Sequence, residues 1–188
     1  FSELTSTDLT GLDRERQLVV WPIASLEQHG PHLPLGTDAI VLRALIENVR
    51  QRLGAGFPGI LLPALELGKS PEHLAFAGTV SLRATTLIAI MEDVVSSLAR
   101  HGFRHFAFLN GHGGNTALLQ SMAFDLQERF NVKVYNIDLW GSSFFDPVIS
   151  DVFPDLAGTE VHAGSVETAM LLYLCPNLVK TAPKIEAP

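Results

Sequence analysis

The sequence predicts an α/β fold with a mainly parallel sheet covered on both faces, and three observations carry that prediction. Short apolar runs of strand length alternate with segments of helical periodicity. Glycine and proline fall between these segments. The polar residues able to do chemistry stand directly after the apolar runs. Strand followed by helix followed by strand requires crossover connections, and those make strands parallel and bury both sheet faces. Ligands of such folds gather at the carboxyl ends of the strands.

The elements follow in chain order. Residues 17–23 form an apolar run read as a buried strand. Thr37 and Asp38 look like a helix start, because both side chains can cap free backbone N–H groups. That helix is expected to run to about Arg52, with Ile40, Ala44, Leu45 and Val49 on its apolar face and Gly54 and Gly56 ending it. Residues 59–63 are a second strand, and residues 79–82 a shorter extended piece. Residues 84–100 are the clearest helix, with Leu87, Ile90, Met91, Val94, Val95 and Leu98 at helical spacing and Gly102 as the stop. Residues 105–109 are a third strand, 115–130 a helix, 132–137 a strand, and 165–174 a last helix before Pro176.

Composition bounds the function. The chain has 188 residues, 47% hydrophobic and 18% charged, which suits one globular domain and excludes a mostly disordered chain. Residues 1–188 are therefore read as a single domain. Thirteen basic against twenty acidic residues leave a net charge of −7, which argues against nucleic acid as a partner. No run approaches the ~20 apolar residues of a membrane span, so no membrane association is expected. Residues 1–4 lack the basic start of a signal peptide. The single cysteine, Cys175, excludes an internal disulfide framework and a cysteine-based zinc ribbon, and suits a reducing cytoplasm. Next to Pro176 it reads as a small buried hydrophobe.

Three clusters follow the strands. Residues 25–38 carry two carboxylates, Glu27 and Asp38, and two histidines, His29 and His32, with Gly and Pro interleaved. Glu27 and His29 are two apart, so extended backbone points them the same way. A carboxylate beside an imidazole suits a divalent metal. A polar loop ending in an N-cap would account for this cluster equally well. The second cluster is Asn110-Gly111-His112-Gly113-Gly114-Asn115, whose glycines allow a tight turn and close approach to a ligand. Taken alone it is a strand-to-helix turn with an exposed histidine. The third is Glu160-Val161-His162-Ala163-Gly164-Ser165-Val166-Glu167, in which Glu167 enters the first turn of the last helix, a common place for a stabilising acid. Three such clusters in one small domain favour a shared site, because strand ends bring them together.

These motifs, in this order and spanning about Val19 to Leu178, resemble the creatininase (creatinine amidohydrolase) family. The resemblance implies a three-layer α/β/α sandwich and a metal-dependent hydrolase of amide C–N bonds in cyclic amides, formamides or short peptides. It implies a homo-oligomer, commonly a hexamer, and a chain that continues beyond Pro188. It implies Glu27, His29, Asp38 and His112 as ligands of two divalent ions, with Asp38 shared between them. Creatininase itself places a Tyr and a ligand Glu after the His of the second motif, where this chain has Gly113 and Gly114. That departure argues against creatinine as substrate, and Glu167 is expected to supply the missing ligand. Zinc, manganese and iron all suit such an N/O donor set.

On this reading a metal-bridging hydroxide attacks the amide carbonyl. His162 is the expected general acid for the departing nitrogen. Glu167 counts with it as a catalytic group, and the Gly113 and Gly114 N–H groups are expected to face the developing oxyanion. His32, fixed between Pro31 and Pro34, is expected to support the site from behind the ligands. Glu72 and His73 are candidates for the pocket wall, and Trp140 with Phe144 and Phe145 for an apolar lid or for core. Two other classes compete: a non-catalytic binding or scaffold protein that keeps the metal site, and a metal-free binder of small anions at helix N-termini. Gly68-Lys69-Ser70 ends like a phosphate-binding loop, but Pro63 stands where that motif needs glycine.

Overall fold

The computed structural model describes residues 1–54, 56–152, 154 and 162–181, with the side chains of residues 142–145 left aside. The helices and strands run α1 (Ser6–Thr10), β1 (Leu18–Ile23), α2 (Thr37–Leu53), β2 (Gly59–Leu61), α3 (Ala84–Ala99), β3 (His105–Asn110), α4 (Thr116–Phe130), β4 (Lys133–Asp138), α5 (Ser142–Val152) and α6 (Ser165–Leu174). The four strands pair in the order β2-β1-β3-β4, and every pairing is parallel. Val19 stands opposite Phe106, Trp21 opposite Phe108 and Ile23 opposite Asn110.

Alternation along the strands divides the side chains between two faces. Val19, Trp21 and Ile23 of β1, Phe106 and Phe108 of β3, Ile60 and Val134 face one way. They bury Leu87, Met91 and Val95 of α3 and Leu119, Met122 and Leu126 of α4. Each such side chain contributes roughly 1.5–3 kcal/mol of transfer free energy, so this layer holds the sheet against its helices. On the opposite face Ala39 and Leu42 of α2 cluster with Ala24 and Leu109. Val41 of α2 joins Leu33, Leu139 and Leu171 of α6 in a smaller cluster. Helices thus lie on both faces. Among the described residues, no helix is long and apolar enough to cross a membrane.

Two expectations for α2 need correction. Its N-cap is Gly36 and no side chain caps it. Thr37 Oγ1 instead donates to the Pro34 carbonyl at 2.7 Å. Asp38 is turned inward, towards two histidines. The buried stripe is Asp38, Ala39, Val41 and Leu42, whereas Val49 is 42% exposed. The reason is that only the first half of α2 seats on the sheet. Between its second half and Leu18, Val20 and Leu109 lies an apolar cleft of about 380 Å³, which Val49 lines.

Elsewhere the differences are local. Residues 79–82 join no strand of the sheet; Val80 makes one antiparallel bridge to Leu26. The 115–130 segment begins with a single 3-10 turn, Gly113–Asn115, before α4. Helices α1 and α5 add to the expected set. The first carries a capping box between Thr5 and Asp8. The second includes Pro147, a residue that ordinarily argues against helix interior.

Candidate metal centre

The carboxyl ends of β1 and β3 deliver the site. After β1 the chain passes through Glu27 and His29, turns at Gly30 with φ of 66°, and enters α2 at Asp38. His112 follows β3 by two residues. The Asn110 side chain holds it there, accepting from the His112 N–H at 3.2 Å and donating to the His112 carbonyl at 2.8 Å. Glu27, His29, Asp38 and His112 are all nearly buried, between 1% and 4% exposed. Asp38 also lies in the first turn of α2, where the helix dipole favours its charge.

Asp38 divides its two oxygens between two histidines. Oδ1 lies 3.1 Å from His29 Nε2, and Oδ2 lies 3.2 Å from His112 Nδ1. Glu27 Oε1 is also 3.2 Å from His112 Nδ1, and Glu167 Oε1 is 3.6 Å from His29 Nε2. Asp38 takes part in two donor groups, Glu27–Asp38–His112 and His29–Asp38–Glu167, each with its atoms within 4.8 Å of one another; Glu27–His29–His162 and Glu27–Glu72–His73 meet the same limit. The second oxygen of Glu167 accepts from the Ala163 N–H at 2.5 Å. Ala163 adopts a left-handed φ of 52° to present that N–H.

His162 flanks both groups. Its Nε2 donates to the Gln28 carbonyl at 2.7 Å, which leaves Nδ1 as the free ring nitrogen, 3.8 Å from Glu27 Oε1. Its ring lies 4.4 Å from that of His29 and 4.3 Å from that of His73. Gln28 Oε1 accepts from the Gly30 N–H at 2.9 Å, so its amide nitrogen donates to His73 Nδ1 at 3.0 Å. His73 therefore carries its proton on Nε2.

Three carboxylates meet here, and among the described residues no Lys or Arg pairs with them. The histidines take that role. Burial alone would lower the pKa values of His29 and His112, but hydrogen bonds and charge from Asp38, Glu167 and Glu27 outweigh it and push both up to about 10. Burial would likewise raise Glu27, yet the His112 contact holds it at about 2. Asp38 Oδ2 remains buried with no aligned hydrogen-bond donor. An orphaned carboxylate oxygen among imidazole and carboxylate donors is what a divalent cation requires, so the residues present fit a metal.

The structure therefore brings Glu27, His29, Asp38, His112, Glu167 and His162 together. Glu72 and His73 also reach this cluster, with ligand atoms within 4.8 Å of Glu27's. A Cβ at Gly113 would meet nothing within 4 Å, so this residue borders open space. At Gly114 a Cβ would lie 2.4 Å from His112 Nε2, 2.5 Å from the Lys69 carbonyl and 2.8 Å from Glu72 Oε1. Gly114 thus stands behind His112, on the side away from Asp38. Trp140 donates from Nε1 to the Gly111 carbonyl at 2.8 Å, next to His112 in the chain, and packs against the Leu139 cluster. The side chains of Phe144 and Phe145, and residues Glu160 and Val161, lie outside the described residues. His32 contacts neither donor group; its Nε2 donates to Thr168 Oγ1 at 2.8 Å and ties the first loop to α6. Cys175 packs beside the Leu139 cluster, as a small hydrophobe should. Ser25, Ser70, Gln28 and Asn115 fall in motifs of the sequence but carry no role there. Asn115 Oδ1 accepts from the Lys69 N–H at 2.9 Å and its amide donates to the Ala24 carbonyl at 3.2 Å, joining the loops after β1 and β2.

Comparison with known proteins agrees with this architecture. Residues 2–188 match the family model described as "Creatininase: Creatinine amidohydrolase". Creatinine amidohydrolase of Pseudomonas putida is 29% identical over 184 residues, covering 91% of this chain and 69% of its own. A mycofactocin precursor peptide peptidase of Mycobacterium ulcerans is 36% identical over 168 residues, covering 87% of this chain and 60% of its own. The chain thus spans only about 60–69% of the length of these two relatives. A manganese form of creatininase superposes with a TM-score of 0.81 at 27% identity, over 100% of this chain and 79% of that one. With the family model matched along nearly its whole length and the parallel sheet superposing on creatininase, this chain belongs to the creatininase family.

Proposed function

We propose that this protein is a metal-dependent amidohydrolase that cleaves a C–N amide bond. The observation that carries the reading is the pair of three-donor groups that share Asp38, with the free nitrogen of His162 beside them. Glu27, Asp38 and His112 would hold one divalent ion, and His29, Asp38 and Glu167 a second; zinc, manganese or iron suit these donors. When bound, such a pair supplies a water of lowered pKa and a Lewis acid for the amide oxygen.

The chain's own residues do the rest. Gln28 fixes the His162 ring through its carbonyl and leaves Nδ1 to take a proton near Glu27 and pass it to the departing nitrogen. Glu167 is held by Ala163, so one oxygen faces His29 while the other is occupied. Gly113 leaves open space next to His112 for a substrate, and Glu72 and His73 lie beside Glu27. The small-molecule substrate is a cyclic amide, a formamide or a short peptide; the bare positions 113 and 114 argue against creatinine. The same proposal includes a homo-oligomer, a hexamer by resemblance, working in the cytoplasm. An inactive metal-keeping scaffold is the weaker reading, because a donor set alone would satisfy it and it gives no role to the open nitrogen of His162 beside Glu27.

Metal analysis of the purified protein and of Asp38→Ala, followed by an amide substrate screen, tests this reading. About two ions per subunit, lost in the variant, with turnover in the wild type, are expected. A wild type that takes up no zinc, manganese or iron refutes the reading.

A further inference from the structure

We propose that Ser25 and Ser70 are positioning residues. With Glu27 and His112 they close a buried hydrogen-bond ring that decides which atoms of those two ligands face the ion. The inference rests on the metal-binding reading above.

The direction of each bond follows from donors and acceptors. His112 Nε2 lies 3.1 Å from the Lys69 carbonyl oxygen, which can only accept, so this nitrogen carries a hydrogen. The same N–H reaches Ser70 Oγ at 3.1 Å. Ser25 Oγ donates to Glu27 Oε2 at 3.3 Å. With that hydrogen in use, Ser70 is the donor in the 2.5 Å contact between the two hydroxyls, and its own hydroxyl also lies within hydrogen-bonding reach of the Glu27 carboxylate. Glu27 Oε1, 3.2 Å from His112 Nδ1, completes the circuit. Both hydroxyls donate and accept in the same sense around the ring, and both serines are fully buried, so bulk water does not compete.

The ring commits the outer atom of each ligand. Glu27 Oε2 is held by Ser25, which leaves Oε1 as its donor to an ion. His112 Nε2 is held by Ser70 and Lys69, which leaves Nδ1. Those two free atoms bracket one position, to which Asp38 Oδ2 also points. The serines are 45 residues apart, on different loops, so the ring also pins the loop after β1 to the loop after β2.

The test is zinc affinity, read by competition with a chelating dye, for wild type, Ser25→Ala, Ser70→Ala and the double variant. Thermal melts of the metal-free proteins report folding. Partners behind a metal ligand typically change affinity by about 10–100-fold. Each single variant is expected to weaken zinc by about that factor, and the double variant by no more than the worse single, because one cut already opens the ring. Unchanged affinity in both singles overturns the proposal, as do additive losses that follow melting temperature. If a variant does not fold, nuclear magnetic resonance of cadmium-loaded wild type decides. Coupling of the metal nucleus to Nδ1 of His112 supports the ring, and coupling to Nε2 overturns it. A wild type that takes up none of zinc, manganese and iron overturns the metal-binding reading and this inference with it; one that takes up manganese or iron but not zinc is titrated with that ion, and the same outcomes apply. A wild type that binds zinc beside unaffected serine variants overturns the ring alone.

Discussion

Metal uptake by this protein should expel protons in a number fixed by the site. In the metal-free cluster three carboxylates face two imidazoles whose pKa values stand at about 10. At about pH 8, two units lower, each imidazole is roughly 99% protonated, whereas one with the usual value is only about 3% protonated. The nitrogens that hold the contested protons, His29 Nε2 and His112 Nδ1, are the same atoms that face Asp38. An ion cannot bind either without displacing its proton, so filling both groups at pH 8 should release at least two protons per subunit. Linkage then requires the apparent affinity for the pair of ions to fall by about 100-fold for each pH unit below 10. The assay is calorimetric titration of zinc into metal-free protein in buffers of different ionisation enthalpy. The slope of observed against buffer enthalpy counts the protons. His29→Gln should lower the count by one. Release of fewer than one proton per subunit at pH 8 would refute the electrostatic account of the cluster.

The remaining predictions concern single groups. Glu167→Gln should leave one ion per subunit, since Glu27, Asp38 and His112 keep a complete donor group; loss of both ions would show that the groups are not separable. His162→Ala should lower kcat on a turned-over amide by about 10²–10⁴-fold with metal content unchanged, and full turnover would exclude the proton role. Ala163→Gly should raise stability by up to about 1 kcal/mol, because it removes left-handed strain from a residue with a Cβ; destabilisation by more than that amount in chemical denaturation would show that the φ of 52° is not strained. The metal-free protein should melt highest between about pH 4.5 and 6.5. His29 and His112 stabilise it fully below 6.5 and lose that contribution as pH rises through about 10. Glu27 contributes above 4.5 and loses its contribution as pH falls through about 2. Melting scans in a chelator that peak above pH 8 would contradict this.

Much of the fold could be read from periodicity. The residues of α3 that repeat at helical spacing are those that bury against β1 and β3. The start of α2 misled because Thr37 and Asp38 have cap chemistry, and only the distant His29 and His112 reveal that the aspartate is turned inward. The cluster of acids and histidines was legible as a candidate site because such residues after strands are conspicuous, whereas its reading as a set of metal ligands came from the family resemblance. Ser25 and Ser70 were not, since a serine beside a loop looks the same whether it meets water or a buried carboxylate. Their partners are long-range, and no local spacing encodes them. Gln28 was visible inside the first motif, but its part in orienting His73 and His162 depends on loops that only the folded chain brings together.

The crowding around Gly114 bears on how such sites can change over time. By resemblance, creatininase carries a ligand glutamate at this position. Here the first carbon of any side chain would collide with the Lys69 carbonyl, a backbone atom, and with the ring of His112. No single substitution at 114 can therefore turn one arrangement into the other. The 68–72 loop must move first, and Glu72, whose carboxylate already occupies that space, must move with it. The two arrangements are neighbours in sequence but separated in viability. A lineage crossing between them would have to remodel a loop before it could gain a ligand, and relaxing that loop would loosen the hold on His112 in the meantime.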